Sequence, residues 1–161
     1  MTPSEIVALH SGSASLVLEA NRNRVPLWRH LGLAVDPRGI SSFYQTRGTA
    51  TFSVDADRAP DVFPVPGDGS FLRAALGVCD SDGKALNVAL DCTGIASDDK
   101  RLSCRFSDEE SGLRVMVDHI TVCGGFRIET SLENRGSAPL SVQRLASCTL
   151  PLPARCERIV S

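Results

Sequence analysis

The strongest constraint in this sequence is a strict two-residue alternation that runs through its second half. Leu113, Val115 and Val117 fall on one side, with Arg114, Met116 and Asp118 between them. The pattern resumes with Phe126, Ile128, Thr130 and Leu132 against Arg127, Glu129, Ser131 and Glu133. Successive side chains of a strand point to opposite faces, so these stretches read as sheet with one covered face and one polar face. A helix would place the same residues all around its axis. One covered face demands a second layer to cover it.

The rest of the chain follows the same rhythm. Ser15 to Glu19 reads as a strand, Asn21-Arg22-Asn23-Arg24 as its turn, and Val25 to Leu31 as the returning strand. Phe71 to Cys79 and Lys84 to Cys92 read as strands around the turn Asp80-Ser81-Asp82-Gly83, where Asp supplies a local hydrogen bond and Gly a positive φ. Leu102 to Phe106, Leu113 to His119, Ile120 to Asn134 and Pro139 to Leu150 continue the series, the last two separated by Asn134-Arg135-Gly136-Ser137. From Asp36 to Gly69 only Ala50 to Val54 has strand character, and long loops are expected there. No segment has the periodicity of an amphipathic helix. About ten strands with frequent turn signals predict an all-β, two-sheet antiparallel sandwich. At 161 residues, 42% of them hydrophobic, the chain suits one domain with a substantial core.

Composition excludes several functions. Seventeen Lys and Arg stand against 19 Asp and Glu, a formal net charge of −2, and the basic residues are scattered. That gives no footprint for nucleic acid. No segment approaches the ~20 apolar residues of a membrane helix. Met1-Thr2-Pro3-Ser4-Glu5 lacks a signal peptide's basic cluster and apolar run, so a cytoplasmic protein is expected. Six cysteines, at 79, 92, 104, 123, 148 and 156, include no C-x-x-C pair, and several lie in apolar runs. They read as reduced, buried thiols. His10, His30 and His119 have no partner at metal-ligand spacing and read as satisfied structural histidines, so no metal site and no cofactor are expected. Asp108-Glu109-Glu110 and Asp98-Asp99-Lys100-Arg101 read as solvated hairpin tips. Gly67-Asp68-Gly69 lacks the Lys and helix of a phosphate loop.

A series of segments resembles the amino-terminal domain of α-galactosidases of glycoside hydrolase family 36. Gly112 to Val117 is similar to that family's strand "GLEVELSY". Asn134-Arg135-Gly136-Ser137-Ala138-Pro139-Leu140 resembles its "NxGxxPL" turn, and Leu145 to Pro153 its "ALSxSLDLP" exit. Gly67 to Leu76 is similar to "GTGDFR-PAL", and Cys79 to Gly83 to the "ADGS" turn after it. The order and spacing agree over roughly residues 60 to 155. Ser70 replaces the Asp of "GDFR", the segment after Cys92 is short, and no Asp or Glu lies between Asp36 and Asp55 to match an acidic sugar-binding residue of the family.

The resemblance implies a galactose-mutarotase-like supersandwich over residues 1–155, with residues 156–161 beginning a linker to a catalytic (β/α)₈ barrel of the same polypeptide. Retaining glycosidases need two carboxylates about 5 Å apart, which the family carries on the barrel. A barrel takes at least ~200 residues, so no catalytic residue is expected in this chain. Its role would be to support the barrel and a homo-oligomer. Three residues are candidates for contact with α-galactoside sugars: Tyr44 and Trp28, the chain's only Tyr and Trp, and Arg73 at the "GDFR" position. The loop from Ser41 to Thr51 is the candidate to reach a pocket. The competing readings place Trp28 in the core and Arg73 in an ion pair that pins its loop. Two alternatives to an enzyme domain are a stand-alone carbohydrate-binding module, which needs exposed aromatics, and a purely structural sandwich.

Overall fold

The computed structural model describes residues 5–20, 25–43, 61–68 and 73–150. Its regular structure is almost wholly antiparallel strand. β1 (Glu5–Ser11), β2 (Ala14–Ala20) and β3 (Leu27–Leu33) form a three-stranded meander. β4 (Leu76–Cys79) pairs with β9 (Ser141–Leu145). β5 (Asp91–Ser97), β6 (Arg101–Asp108), β7 (Leu113–Val122) and β8 (Gly125–Asn134) form a four-stranded meander. The expected all-β sandwich is the observed architecture.

One core unites the three sheets. Leu9, Leu16, Leu18 and Trp28 from the first meander meet Leu102, Phe106, Leu113, Val115 and Val117 from the second, together with Leu76 and Val78 of β4. Phe63, from the segment before β4, stacks on Phe106 with centroids 6.3 Å apart. At one end Ser11 Oγ donates to Val122 O at 2.6 Å, tying β1 to β7.

The alternation read from the sequence holds where it is longest. Leu113, Val115 and Val117 are buried while Arg114 and Met116 are exposed. The turn after β4 has the expected chemistry: Asp80 Oδ1 accepts from Asp82 N and Lys84 N, and Gly83 takes φ +80°. The Asp108-Glu109-Glu110 and Asp98-Asp99 segments are hairpin tips.

Several expectations are corrected. β1 was not foreseen; its side chains grade from exposed to buried without clean alternation. A seven-residue helix, α1 (Pro37–Phe43), stands where only loop was read. Asp36 caps it, Oδ1 accepting from Arg38 N at 3.0 Å, with Pro37 in the first turn. The Arg38 side chain, hydrogen-bonded to Asp36, holds that carboxyl below its usual range. α1 lies against β1, and its Ile40 is buried outside the main core cluster.

Lys84 to Leu90 is extended chain rather than strand, with one bridge from Ala85 to Cys79. Val88 and Leu90 alternate into the core, and among the described residues the backbone bonds of this segment are isolated ones, such as Leu86 N to Val78 O at 2.9 Å and Gly67 N to Val88 O at 2.8 Å. The ladder begins at Asp91 and runs to Ser97, so the short segment after Cys92 is strand, with a register shift between Cys92 and Gly94. β4 starts only at Leu76, and β9 ends at Leu145 rather than Leu150. β7 continues past His119 to Val122, and Cys123-Gly124 make the turn. Asp118, placed on the polar face, is buried, and the short hydrogen bond it accepts from the Ser103 hydroxyl across the ladder offsets the cost of that burial. The turn at 21–24, the strand at 50–54 and the linker at 156–161 lie outside the described residues.

Candidate functional site

Of the sequence-predicted sugar contacts, the structure describes Trp28 and Arg73. Trp28 sits in β3 with 7% of its surface exposed, inside the main core. A register shift against β2 puts it opposite Leu18 and His30 opposite Val17, leaving Arg29 as the extra residue. The Arg29 guanidinium forms an ion pair with Glu19, both side chains largely covered. Arg73 is exposed in the chain leading to β4, where Arg144 Nε donates to the neighbouring Ala74 O at 2.7 Å. Tyr44, and the loop to Thr51 after Phe43, lie outside the described residues. Phe63 and Phe106 are buried, so neither they nor Trp28 offers a ring face to solvent.

Several acidic residues serve turns. A cleft of about 670 Å³ opens between the β6–β7 hairpin, the turn after β8 and Asp80. Its carboxylates include Asp108, Glu109 and Glu110. Asp108 is committed locally: its Oδ1 accepts from Glu110 N at 3.0 Å and its Oδ2 from Ser111 Oγ at 2.9 Å. Asp98 is likewise held below the usual carboxylate range by backbone hydrogen bonds from Lys100 and Arg101. Among the described residues no three His, Cys, Asp or Glu side chains could share a metal ion.

The thiols have the character of packing groups. Burial pushes Cys104 up to about 12 and Cys148 up to about 11, and raises Cys92 as well. A thiol so shifted carries almost no thiolate near neutrality and is a poor nucleophile. The expectation of buried cysteines fails at Cys123, which is exposed in the β7–β8 turn. His119 is only half satisfied: Nδ1 meets Leu102 O at 3.2 Å, while Nε2 has no hydrogen-bond partner among the described residues.

A second concavity, of about 440 Å³, lies on the outer face of the four-stranded sheet. Arg105, Arg114 and Met116 line it, with Thr93, Ser107 and Ser131 hydroxyls around them. Sequence reasoning placed Arg114 and Met116 on a polar face without seeing a site, because the concavity depends on which strands are neighbours.

No protein-family model matches this sequence, and no curated protein matches it significantly. Solved structures do. The α-galactosidase AgaA of glycoside hydrolase family 36 from Geobacillus stearothermophilus superposes with TM-score 0.69 at 20% sequence identity, over 88% of this chain and 24% of that one. The galactosidase domain of the α-galactosidase–sucrose kinase AgaSK gives 0.69 at 15% identity, over 89% and 24%. The α-galactosidase from Lactobacillus brevis gives 0.61 at 15% identity, over 87% and 23%. Variants of AgaA have been solved with raffinose and with stachyose. The shared property is the fold, and the chain spans about a quarter of the length of these proteins. No helix among the described residues is long and apolar enough to cross a membrane.

Proposed function

We propose that this chain is the non-catalytic amino-terminal sandwich of a family 36 α-galactosidase, serving to support the catalytic barrel of the same polypeptide. The observation that carries this reading is the asymmetry of the match. Nearly all of this chain superposes on AgaA, yet it accounts for only 24% of that enzyme. The ordered series of segments from Gly67 to Pro153 points to the same family independently of the coordinates.

On this reading α-galactosides such as raffinose are substrates of the whole enzyme. The carboxylate pair of a retaining mechanism belongs to the barrel. Asp108 accepts hydrogen bonds within its own turn. Tyr44 and Arg73 remain the candidates through which this domain would reach a sugar, and support of a homo-oligomer is a further part of the proposal. A cytoplasmic location accords with five cysteines that form no disulfide among the described residues.

Two assays on the purified chain test the reading. Incubation with an aryl α-galactoside is expected to release no galactose, and calorimetry with raffinose to give no heat of binding. Release of galactose overturns the non-catalytic assignment. Saturable raffinose binding replaces it with a free carbohydrate-binding module.

A further inference from the structure

We infer that the outer face of the four-stranded sheet carries a binding site for a small oxyanion, built by Arg105 and Arg114. This inference rests on no part of the α-galactosidase reading.

The register places the two arginines on adjacent strands of one face. Arg105 pairs with Met116 across β6 and β7, and Ser107 pairs with Arg114. Arg105 and Arg114 are therefore diagonal neighbours on one face, a separation that long side chains span easily. Met116, 37% exposed, lies beside both and gives the groove an apolar floor.

Neither charge is answered within the described protein. Two neighbouring arginines are paired, Arg127 Nε bonding Glu129 at 2.9 Å and Arg135 Nε bonding Glu133 at 2.9 Å, while Arg101, at the far end of β6, forms no ion pair among the described residues. Glu133 is the ladder partner of Arg114 and lines the same groove, but its carboxylate is engaged by Arg135 of the turn after β8. Asp118, two residues beyond Met116, takes the Ser103 hydroxyl. Arg105 and Arg114 form no ion pair or side-chain hydrogen bond among the described residues.

Two like charges left side by side repel, and an anion between them relieves that repulsion. Each guanidinium offers a planar fork matched to a carboxylate or a phosphate. Ser107 and Ser131 add hydroxyl donors at the margin, while the Thr93 hydroxyl is spent on Arg105 O at 3.1 Å. The groove volume of about 440 Å³ suits a small metabolite bearing the anion.

The test is an NMR titration of the full chain at constant ionic strength, with inorganic phosphate and then acetate, following arginine Nε–H and backbone amide signals. Saturable shifts confined to Arg105, Arg114, Met116 and Ser107 are expected. Arg105→Gln and Arg114→Gln should each weaken binding roughly tenfold, the scale of one charge-assisted hydrogen bond. The double variant should abolish it, whereas Arg127→Gln, on the same face but ion-paired, should not. Both arginines are exposed, so an unchanged amide spectrum elsewhere will certify the variants' fold. Saturation by phosphate alone identifies a phosphate ester as the ligand class, and equal saturation by acetate a carboxylate. Shifts that rise linearly, that spread over all basic residues, or that persist in the double variant overturn the site.

Discussion

The indole of Trp28 on β3 and the imidazole of His119 on β7 meet edge to face, their centroids 5.4 Å apart and their planes at 85°. This contact joins the first meander to the second through the only tryptophan in the chain. It also places a titratable ring in an interior that strongly disfavours its charged form.

Burial lowers the His119 pKa below the ordinary 6.5, the largest influence, against the smaller opposing effects of Leu102 O and Asp118. The folded state therefore binds a proton less readily than the unfolded chain. Stability from this residue is fully present above about pH 6.5 and is lost as pH falls from there toward the folded-state value. Thermal unfolding should show Tm falling as pH drops from 7.5 to 5, and His119→Phe should flatten that slope. An equal slope in the variant refutes the assignment.

Cysteine reactivity should divide sharply. Cys104, fully buried with its thiol pushed up to about 12, should resist alkylation at pH 8 until the protein unfolds. Cys123, exposed in the β7–β8 turn, should label in the native state. Peptide mapping after timed iodoacetamide treatment reads both, and native labelling of Cys104 contradicts its placement.

Gly112 holds the β6–β7 turn at φ +72°, and a Cβ there would lie 2.6 Å from Gly136 N. Gly112→Ala should destabilise by at least roughly 1–3 kcal/mol, the range for a non-glycine residue in a sparsely populated backbone region. Gly94→Ala, with nothing within 4 Å of the added carbon, should stay within about 0.5 kcal/mol of the parent. Urea denaturation compares the two.

Phe106 is 1% exposed and stacks nearly parallel on Phe63. Phe106→Ala should cost about 3–5 kcal/mol, combining lost burial with an unfilled cavity. A loss below about 1 kcal/mol in the same urea experiment, the scale of a surface change, shows that this pair does not anchor the core.

The parts of the fold that could be read in advance are those where local pattern and tertiary environment agree. β7 alternates from Leu113 to Val117 and β8 from Phe126 to Glu133, and Asp80 with Gly83 specifies its turn through its own hydrogen bonds. Lys84 to Leu90 misleads because period two reports which side chains are buried, not whether a neighbouring backbone completes a ladder. α1 is too short to show helical periodicity, and only Asp36-Pro37 marks its start. The groove of Arg105 and Arg114 was illegible for a further reason. Its residues come from strands whose register no local signal reveals, and the missing counter-charges emerge only when each ion pair is located.

The central claim is that this sandwich serves a catalytic barrel carried by the same polypeptide. The most direct measurement is to sequence the coding region downstream of the Ser161 codon in the source genome. The account predicts an open frame of at least ~200 further residues alternating strand and helix, with aspartates at the carboxyl ends of two strands. A stop codon directly after Ser161 contradicts it and leaves an independent module with this fold.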